Sequence, residues 1–341
     1  MTMPTEQIAA MLRSLSPAYA PTPLLDLPVL ARRLGVAQVL AKDESQRMLG
    51  SFKSLGGTYA GLRALARAAG VPVEALLDPA RRPAMPLPAL LCASDGNHGL
   101  AVAAAARRAG GGARVYLHAG VPEGRARRIA DEGAEIIRVE GTYDDAVDAA
   151  AAAARQGDGI LVADTAEDPA DPVVGDVMAG YGVMAAEIRA QVEEAGYRRP
   201  SHLSVQAGVG GLAAALAEGL AGWMAPPARV LVAEPEGVAC VGAALAAGRV
   251  LRLTGSLDTA AEMLSCGEVS APALAILRRH GARGITVSEA GLAEAPAVLR
   301  DCGGPATTPS GATGLAALLA APPLPPESRV LLIVSEAAVA S

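Results

Sequence analysis

Aromatic side chains are scarce in this 341-residue chain: they make up 2% of it, with one Phe, one Trp and six Tyr. Single-stranded nucleic acid binds by stacking bases on aromatic platforms, so this composition speaks against such a partner. Basic charge is also in deficit. Lys and Arg number 29 against 35 Asp and Glu, a formal net charge of −6, which disfavours a phosphate-backbone binder. The four cysteines (Cys92, Cys240, Cys266, Cys302) lack the close pair spacing of a structural zinc site. The four histidines (His98, His118, His202, His280) form no HExxH or related pattern, so no metal is expected. A long hydrophobic run is missing too. The uncharged stretch 302–326 is broken by Pro305, Pro309, Pro322, Pro323, Pro325 and Pro326, which no single spanning helix accommodates. The start, MTMPTEQIAAMLRSL, has no basic segment followed by an apolar one, so a cytoplasmic protein is expected.

What is present is apolar residue: 51% hydrophobic against 19% charged, enough for a large core. Length alone suggests two domains. Nine β-rich runs, at 36–42, 88–94, 113–119, 134–140, 159–165, 202–208, 228–234, 284–290 and 329–335, alternate with Ala-rich helical segments. That alternation predicts an α/β fold with open, mostly parallel sheet covered by helices. Ligands of such folds sit beyond the carboxyl ends of the strands, so the polar residues just after each run are the candidates. A smaller α/β domain over 58–163 is expected to be inserted into a larger one built from 1–57 and 164–341.

Five strand-end loops stand out. Lys53 lies in SFKSLGG at a Gly-rich helix start with no acidic neighbour in sequence, where burial and the helix dipole would both lower its amine pKa. SDGNHG at 94–99 opens a helix, and its backbone N–H groups with Ser94 and Asn97 would cradle a carboxylate. GVGG at 208–211 lets a phosphate approach the backbone at another helix start. Ser335-Glu336 closes the last strand, where a hydroxyl could meet a ring nitrogen, and PSGATG at 309–314 reads as a turn capped into a helix. Each has a plain structural alternative: an exposed lysine, an Asx-turn, a tight turn, a frayed strand end, an N-cap.

Taken together and in this order, the motifs resemble the fold-type II enzymes that use pyridoxal 5′-phosphate, the tryptophan synthase β-like group. Within it they are most like the diaminopropionate ammonia-lyase family. The narrower likeness rests on AKDES at 41–45, FKSLGGTYA at 52–60, GTYDDAV at 141–147, ADTA at 163–166, AGYGVMAAE at 179–187, QAGVGGLAA at 206–214, AEPEGVAC at 233–240 and LSCGEVSAPALAILR at 264–278. The resemblance implies two sheets and a homodimer. It also implies that Lys53 carries the cofactor, Asn97 meets its ring oxygen, Gly208, Val209, Gly210 and Gly211 hold its phosphate, and Ser335 meets its pyridine nitrogen. The substrate carboxylate would dock at Ser94, Gly96, Asn97 and His98. Lys53 and Asp95 would flank the α-carbon from opposite faces, with Asp164 a second acid near the β-position; taken by its sequence alone, Asp164 reads equally as a helix N-cap.

The implied reaction is α,β-elimination of a small amino acid, 2,3-diaminopropionate or a close β-substituted alanine, to pyruvate and ammonia. Two acids suit a cationic β-amine better than a neutral hydroxyl. A serine or threonine dehydratase, an amino-acid racemase, a β-replacement synthase and a non-catalytic cofactor- or amino-acid-binding module are the alternatives. Two internal segments of the sequence depart from the family. Glu167-Asp168-Pro169-Ala170-Asp171 replaces an aromatic segment, implying a lost aromatic lid, and Pro309 stands where relatives place a glutamate near the ring, implying a lost polar contact. Cys240 and Cys266 fall where the family can place a cysteine pair, with thiols expected in a reducing compartment.

Overall fold

The computed structural model describes residues 3–82, 85–94 and 96–338, so Asp95 lies outside the described residues. All nine apolar runs contain strands, and one short strand precedes them. In chain order they are β1 (Leu24–Asp26), β2 (Gln38–Asp43), β3 (Leu90–Ala93), β4 (Ala113–His118), β5 (Glu135–Val139), β6 (Ile160–Leu161), β7 (His202–Gln206), β8 (Arg229–Pro235), β9 (Arg283–Val287) and β10 (Arg329–Val334). One sheet has the order β1-β2-β10-β7-β8-β9, parallel except for the antiparallel β1–β2 pair. The other, β5-β4-β3-β6, is wholly parallel and comes from residues 90–161. Two mostly parallel sheets covered by helices are therefore what the chain forms.

The last strand sits in the middle of the larger sheet. Val330–Val334 is buried on both faces between β2 and β7, as an unbroken apolar run requires. Val334 pairs with Asp43, so the carboxyl ends of β2, β10 and β7 open on one edge. The next residues, Ser335 and Glu336, are delivered there, beside the loop that carries Lys53.

Helix Lys53–Ala69 crosses helices Asn97–Ala109 and Pro172–Glu194 at close range. The small residues of FKSLGGTYA and GLAVAAAA make this possible. A Cβ on Gly57 would lie 2.7 Å from the Ala101 Cβ, and one on Gly56 would run into the Tyr181 ring. Real side chains never approach so closely, so any larger residue at 56 or 57 would push the lysine helix off its neighbours.

The AKDES turn is structural. Lys42 and Arg47 are buried with Glu44 and Glu187, two cations against two anions. Lys42 Nζ lies 2.7 Å from Glu187 Oε2; Arg47 lies 2.8 Å from Glu44 Oε2 and 2.6 Å from Glu187 Oε2. Lys42 also donates to the Thr22 carbonyl and to Gln191. The cluster fastens helix Pro172–Glu194 to the end of β2, which fixes Tyr181 against the lysine helix.

Candidate active site

The loop bearing Lys53 is held by the end of β10. Phe52 N donates to the Ser335 carbonyl, Ala337 N donates to the Gly50 carbonyl, and Ser51 bridges Glu336 in an antiparallel pair. Lys53 is then the first residue of its helix. Its ammonium forms an ion pair with Asp164, which follows β6. The expectation of a lysine without an acidic partner is therefore overturned: the partner is supplied from 111 positions away. Burial alone would push Lys53 towards the neutral amine, as the sequence suggested. The Asp164 charge and hydrogen bond, joined by Tyr181 and Cys266, together outweigh it, so Lys53 is held well above its ordinary value. Asp164 is itself pushed up by burial and pulled further down by the Lys53 cation, so it stays ionised. It is not a helix N-cap; the next helix starts at Pro172 with Asp171 capping it.

Loop 94–98 uses part of its polarity on itself. Ser94 Oγ accepts from Gly96 N at 2.9 Å and from Gly99 N at 2.8 Å, closing the start of helix Asn97–Ala109. His98 Nε2 sits 2.7 Å from the Val162 carbonyl, which can only accept, so that nitrogen carries the proton. Burial also holds the His98 ring below its usual value and therefore neutral. Asn97 Nδ2 donates across the cleft to Glu336 Oε2 at 2.5 Å. Glu336 is buried, accepts from the Thr308 hydroxyl through its other oxygen, and is pushed up by burial. Pro309 therefore does not leave the site without a carboxylate. It opens helix Pro309–Ala320 behind the Thr308 N-cap, and Glu336 brings the acid from the other side.

The glycine loop follows β7. Gly210 has φ +91°, in the left-handed region that favours glycine, and helix Gly211–Gly219 begins immediately after it. A Cβ on Gly208 would lie 3.0 Å from the Cys266 sulfur. The first N–H groups of a helix have no partner within it, so this loop offers donors to an anion. Cys240 Sγ approaches the Gly208 carbonyl at 3.5 Å; Cys240 and Cys266 are both buried beside the loop and are not joined in a disulfide.

These loops meet in one cavity of about 780 Å³, counting its open mouth. Lys53, Ser94, Gly96, Asn97, His98, Asp164, Gly208, Val209, Gly210, Gly211 and Ser335 all line it, so every described site residue expected from sequence converges there. The aromatic wall comes from Phe52, Tyr143 and Tyr181, whose ring packs edge-on to Phe52 at 4.9 Å, and among the described lining residues none comes from 167–171. Sequence reasoning passed over Tyr181, Tyr143 and Gln206. All three lie inside quoted motifs, but a polar residue on a strand or helix gives no sign of which way it faces.

The cavity fits pyridoxal phosphate on the chemistry of its own atoms. Its lining brings together a backbone anion cradle at 208–211, the Lys53 amine and the Ser335 hydroxyl. Gln206 Oε1 is buried there without a hydrogen-bond partner. Lys53 would hold the aldehyde carbon, the loop 208–211 the phosphate, and Ser335 the ring nitrogen.

Comparison with known proteins agrees. The pyridoxal-phosphate dependent enzyme family matches residues 15–336. A diaminopropionate ammonia-lyase of Escherichia coli (strain K12) is 33% identical over 263 residues, covering 76% of this chain and 66% of that relative. The chain thus spans about two thirds of its length. The structure of diaminopropionate ammonia lyase from Escherichia coli in complex with D-serine superposes with a TM-score of 0.88 at 29% identity, covering 98% of this chain and 89% of the other. The threonine deaminase of T.th. superposes with a TM-score of 0.78 at 28% identity, covering 99% of each chain. With family, fold and site chemistry in agreement, the chain belongs to the pyridoxal-phosphate dependent enzymes of fold type II.

Proposed function

We propose that the chain is an ammonia-lyase that removes the β-amino group of 2,3-diaminopropionate, or of a close β-substituted alanine, and yields pyruvate and ammonia. The observation that carries this reading is the buried Asp164 carboxylate held ionised beside Lys53. Bound pyridoxal phosphate supplies an electron sink for the carbanion formed at the α-carbon. Whenever the Lys53 amine is neutral, as it must be to take a proton, Asp164 has no ammonium opposite it. A substrate β-ammonium restores a positive charge at that point, whereas the hydroxyl of serine does not.

In this reading Lys53 anchors the cofactor and, as a free amine, takes the α-proton. Asp164 receives the β-ammonium, and Asp95, outside the described residues, serves the opposite face. Asn97 meets the ring oxygen, and Gly208, Val209, Gly210 and Gly211 hold the phosphate. Ser335 meets the ring nitrogen, while the loop of Ser94, Gly96, Asn97 and His98 receives the carboxylate. The ionic contact of Arg125 with Glu262 and the Asn97–Glu336 hydrogen bond both join the 90–161 sheet region to the larger sheet across the cleft. They suit a domain over 58–163 that moves as the cleft opens. A homodimer acting in the cytoplasm completes the proposal, tested by sedimentation and by cell fractionation. The likeness to a D-serine complex and to a threonine deaminase keeps serine or threonine elimination as the second reading.

The deciding experiment supplies the purified holoenzyme with both enantiomers of 2,3-diaminopropionate, serine and threonine. Ammonia and oxo-acid release should be fastest from diaminopropionate. Faster release from serine or threonine would replace this assignment with a dehydratase.

A further inference from the structure

We propose that Gln206 is a positioning residue that fixes the hydrogen-bond polarity of Ser335, so that the serine hydroxyl is a donor towards the pyridine nitrogen of the cofactor. The proposal rests on the placement of Ser335 at that nitrogen.

Gln206 is the last residue of β7 and is 2% exposed. Its Nε2 lies 3.0 Å from the Gly311 carbonyl and 2.7 Å from Ser335 Oγ. A carbonyl oxygen can only accept, so the amide nitrogen must be the atom facing Gly311, and the side chain cannot be turned over. Both amide protons are then directed, one to Gly311 and one to Ser335. Ser335 Oγ must therefore accept from Gln206. The hydroxyl has a single proton, which now points away from Gln206. Gln206 is its one hydrogen-bond partner among the described residues.

Ser335 is 3% exposed, so a proton left without an acceptor there would be costly. An unprotonated ring nitrogen accepts it and satisfies the serine. A protonated ring nitrogen would instead need a second lone pair of Ser335 and would strand the serine proton. The chain Gly311–Gln206–Ser335 thus transmits a fixed donor direction from a backbone carbonyl in helix Pro309–Ala320 to the cofactor ring, and it selects the neutral ring without any charged group. A glutamate at 206 would reverse it. The carboxyl oxygen in the place of Nε2 would be protonated, donate to the Gly311 carbonyl and accept from Ser335, leaving serine lone pairs for a ring N–H.

The test uses holoenzyme loaded with pyridoxal phosphate carrying ¹⁵N in the ring. The nitrogen chemical shift and the cofactor dissociation constant are measured in the native protein, Gln206→Glu, Gln206→Met and Ser335→Ala. The native shift should be that of an unprotonated pyridine, and Gln206→Glu should move it into the pyridinium range. Gln206→Met, similar in size but without donors, should weaken cofactor binding roughly tenfold. A shift in Gln206→Glu equal to native, while Ser335→Ala does change it, overturns the proposal. So does native cofactor affinity in Gln206→Met, which decides the matter should Gln206→Glu fail to fold. If Ser335→Ala also changes neither shift nor affinity, the fault lies in placing Ser335 at the ring nitrogen.

Discussion

The ammonium of Lys53 and the carboxylate of Asp164, 111 positions apart in sequence, form an ion pair in the lining of the cavity. The pair sets two opposing demands on the lysine. It must lose its proton to bond the cofactor, and Asp164 holds that proton on.

Asp164→Asn therefore separates loading from turnover. Without the carboxylate, burial dominates and the Lys53 pKa falls. Uptake of pyridoxal phosphate by the apoprotein at pH 7 should be faster than native, and native uptake should accelerate as pH rises. Ammonia release from diaminopropionate should nevertheless drop by about 10²–10⁴-fold, the range for losing a positioned acid or base. Stopped-flow absorbance of uptake checks the first effect, and slower loading in the variant would contradict the assigned cause.

Lys53→Ala removes the covalent anchor and leaves Asp164 buried without a cation. Turnover should vanish, and the carboxyl of Asp164 should titrate at a higher pH than in the native protein, because the lysine charge is the largest influence opposing its burial. Infrared difference spectra of the carboxyl stretch against pH would detect it; turnover retained in this variant would rule out the active site described.

Glu187→Leu should destabilise the fold by about 3–5 kcal/mol, since Lys42 and Arg47 would both lose a buried counter-charge. Burial already pushes Lys42 below its ordinary value despite Glu187. Urea unfolding measures the loss, and a change under about 1 kcal/mol would mean that water reaches the cluster.

Glu234 gives a pH signature of its own. It is fully buried at the end of β8 and accepts from Val241 N at 2.7 Å and Gly242 N at 2.8 Å, fixing the start of helix Cys240–Ala247. Burial pushes it from its ordinary 4.5 to about 7. Between those values the folded protein binds more protons than the unfolded chain, so stability falls as pH rises from 4.5 through 7 and levels off above. The slope approaches about 1.4 kcal/mol per pH unit for one group. Glu234→Gln should lack that component, which chemical denaturation across the same pH range would reveal.

The strands were legible because parallel strands buried on both faces read as unbroken apolar runs, as RVLLIV does. β1 was not, because three residues, LLD, at an antiparallel edge carry no period. Lys53 was legible as a site but its electrostatics were not. The acid that governs it comes from beyond β6, and pairings across a sheet leave no local trace. Glu336 was read only as the neighbour of Ser335, and Pro309 as a lost carboxylate. Only the fold shows that the strand end turns one side chain to Gln206 and the next to Asn97.

That second turn yields the last prediction. Glu336, at the end of the large sheet, receives Asn97 from the start of the helix after β3 and Thr308 from the helix start behind Pro309. Glu336→Gln keeps an oxygen for Asn97 Nδ2, and Thr308 Oγ1, which already accepts from Gly311 N, can accept from the new amide, so only the hydroxyl proton loses its acceptor. Glu336→Leu takes the acceptor from the half-buried Asn97 amide and Thr308 hydroxyl, at up to about 1–3 kcal/mol for each group that water does not reach. The leucine variant should therefore be the less stable of the two by several kcal/mol in urea unfolding. Equal stability would mean that solvent replaces Glu336 freely, and the hydrogen bond across the cleft would then not help hold the two sheets together.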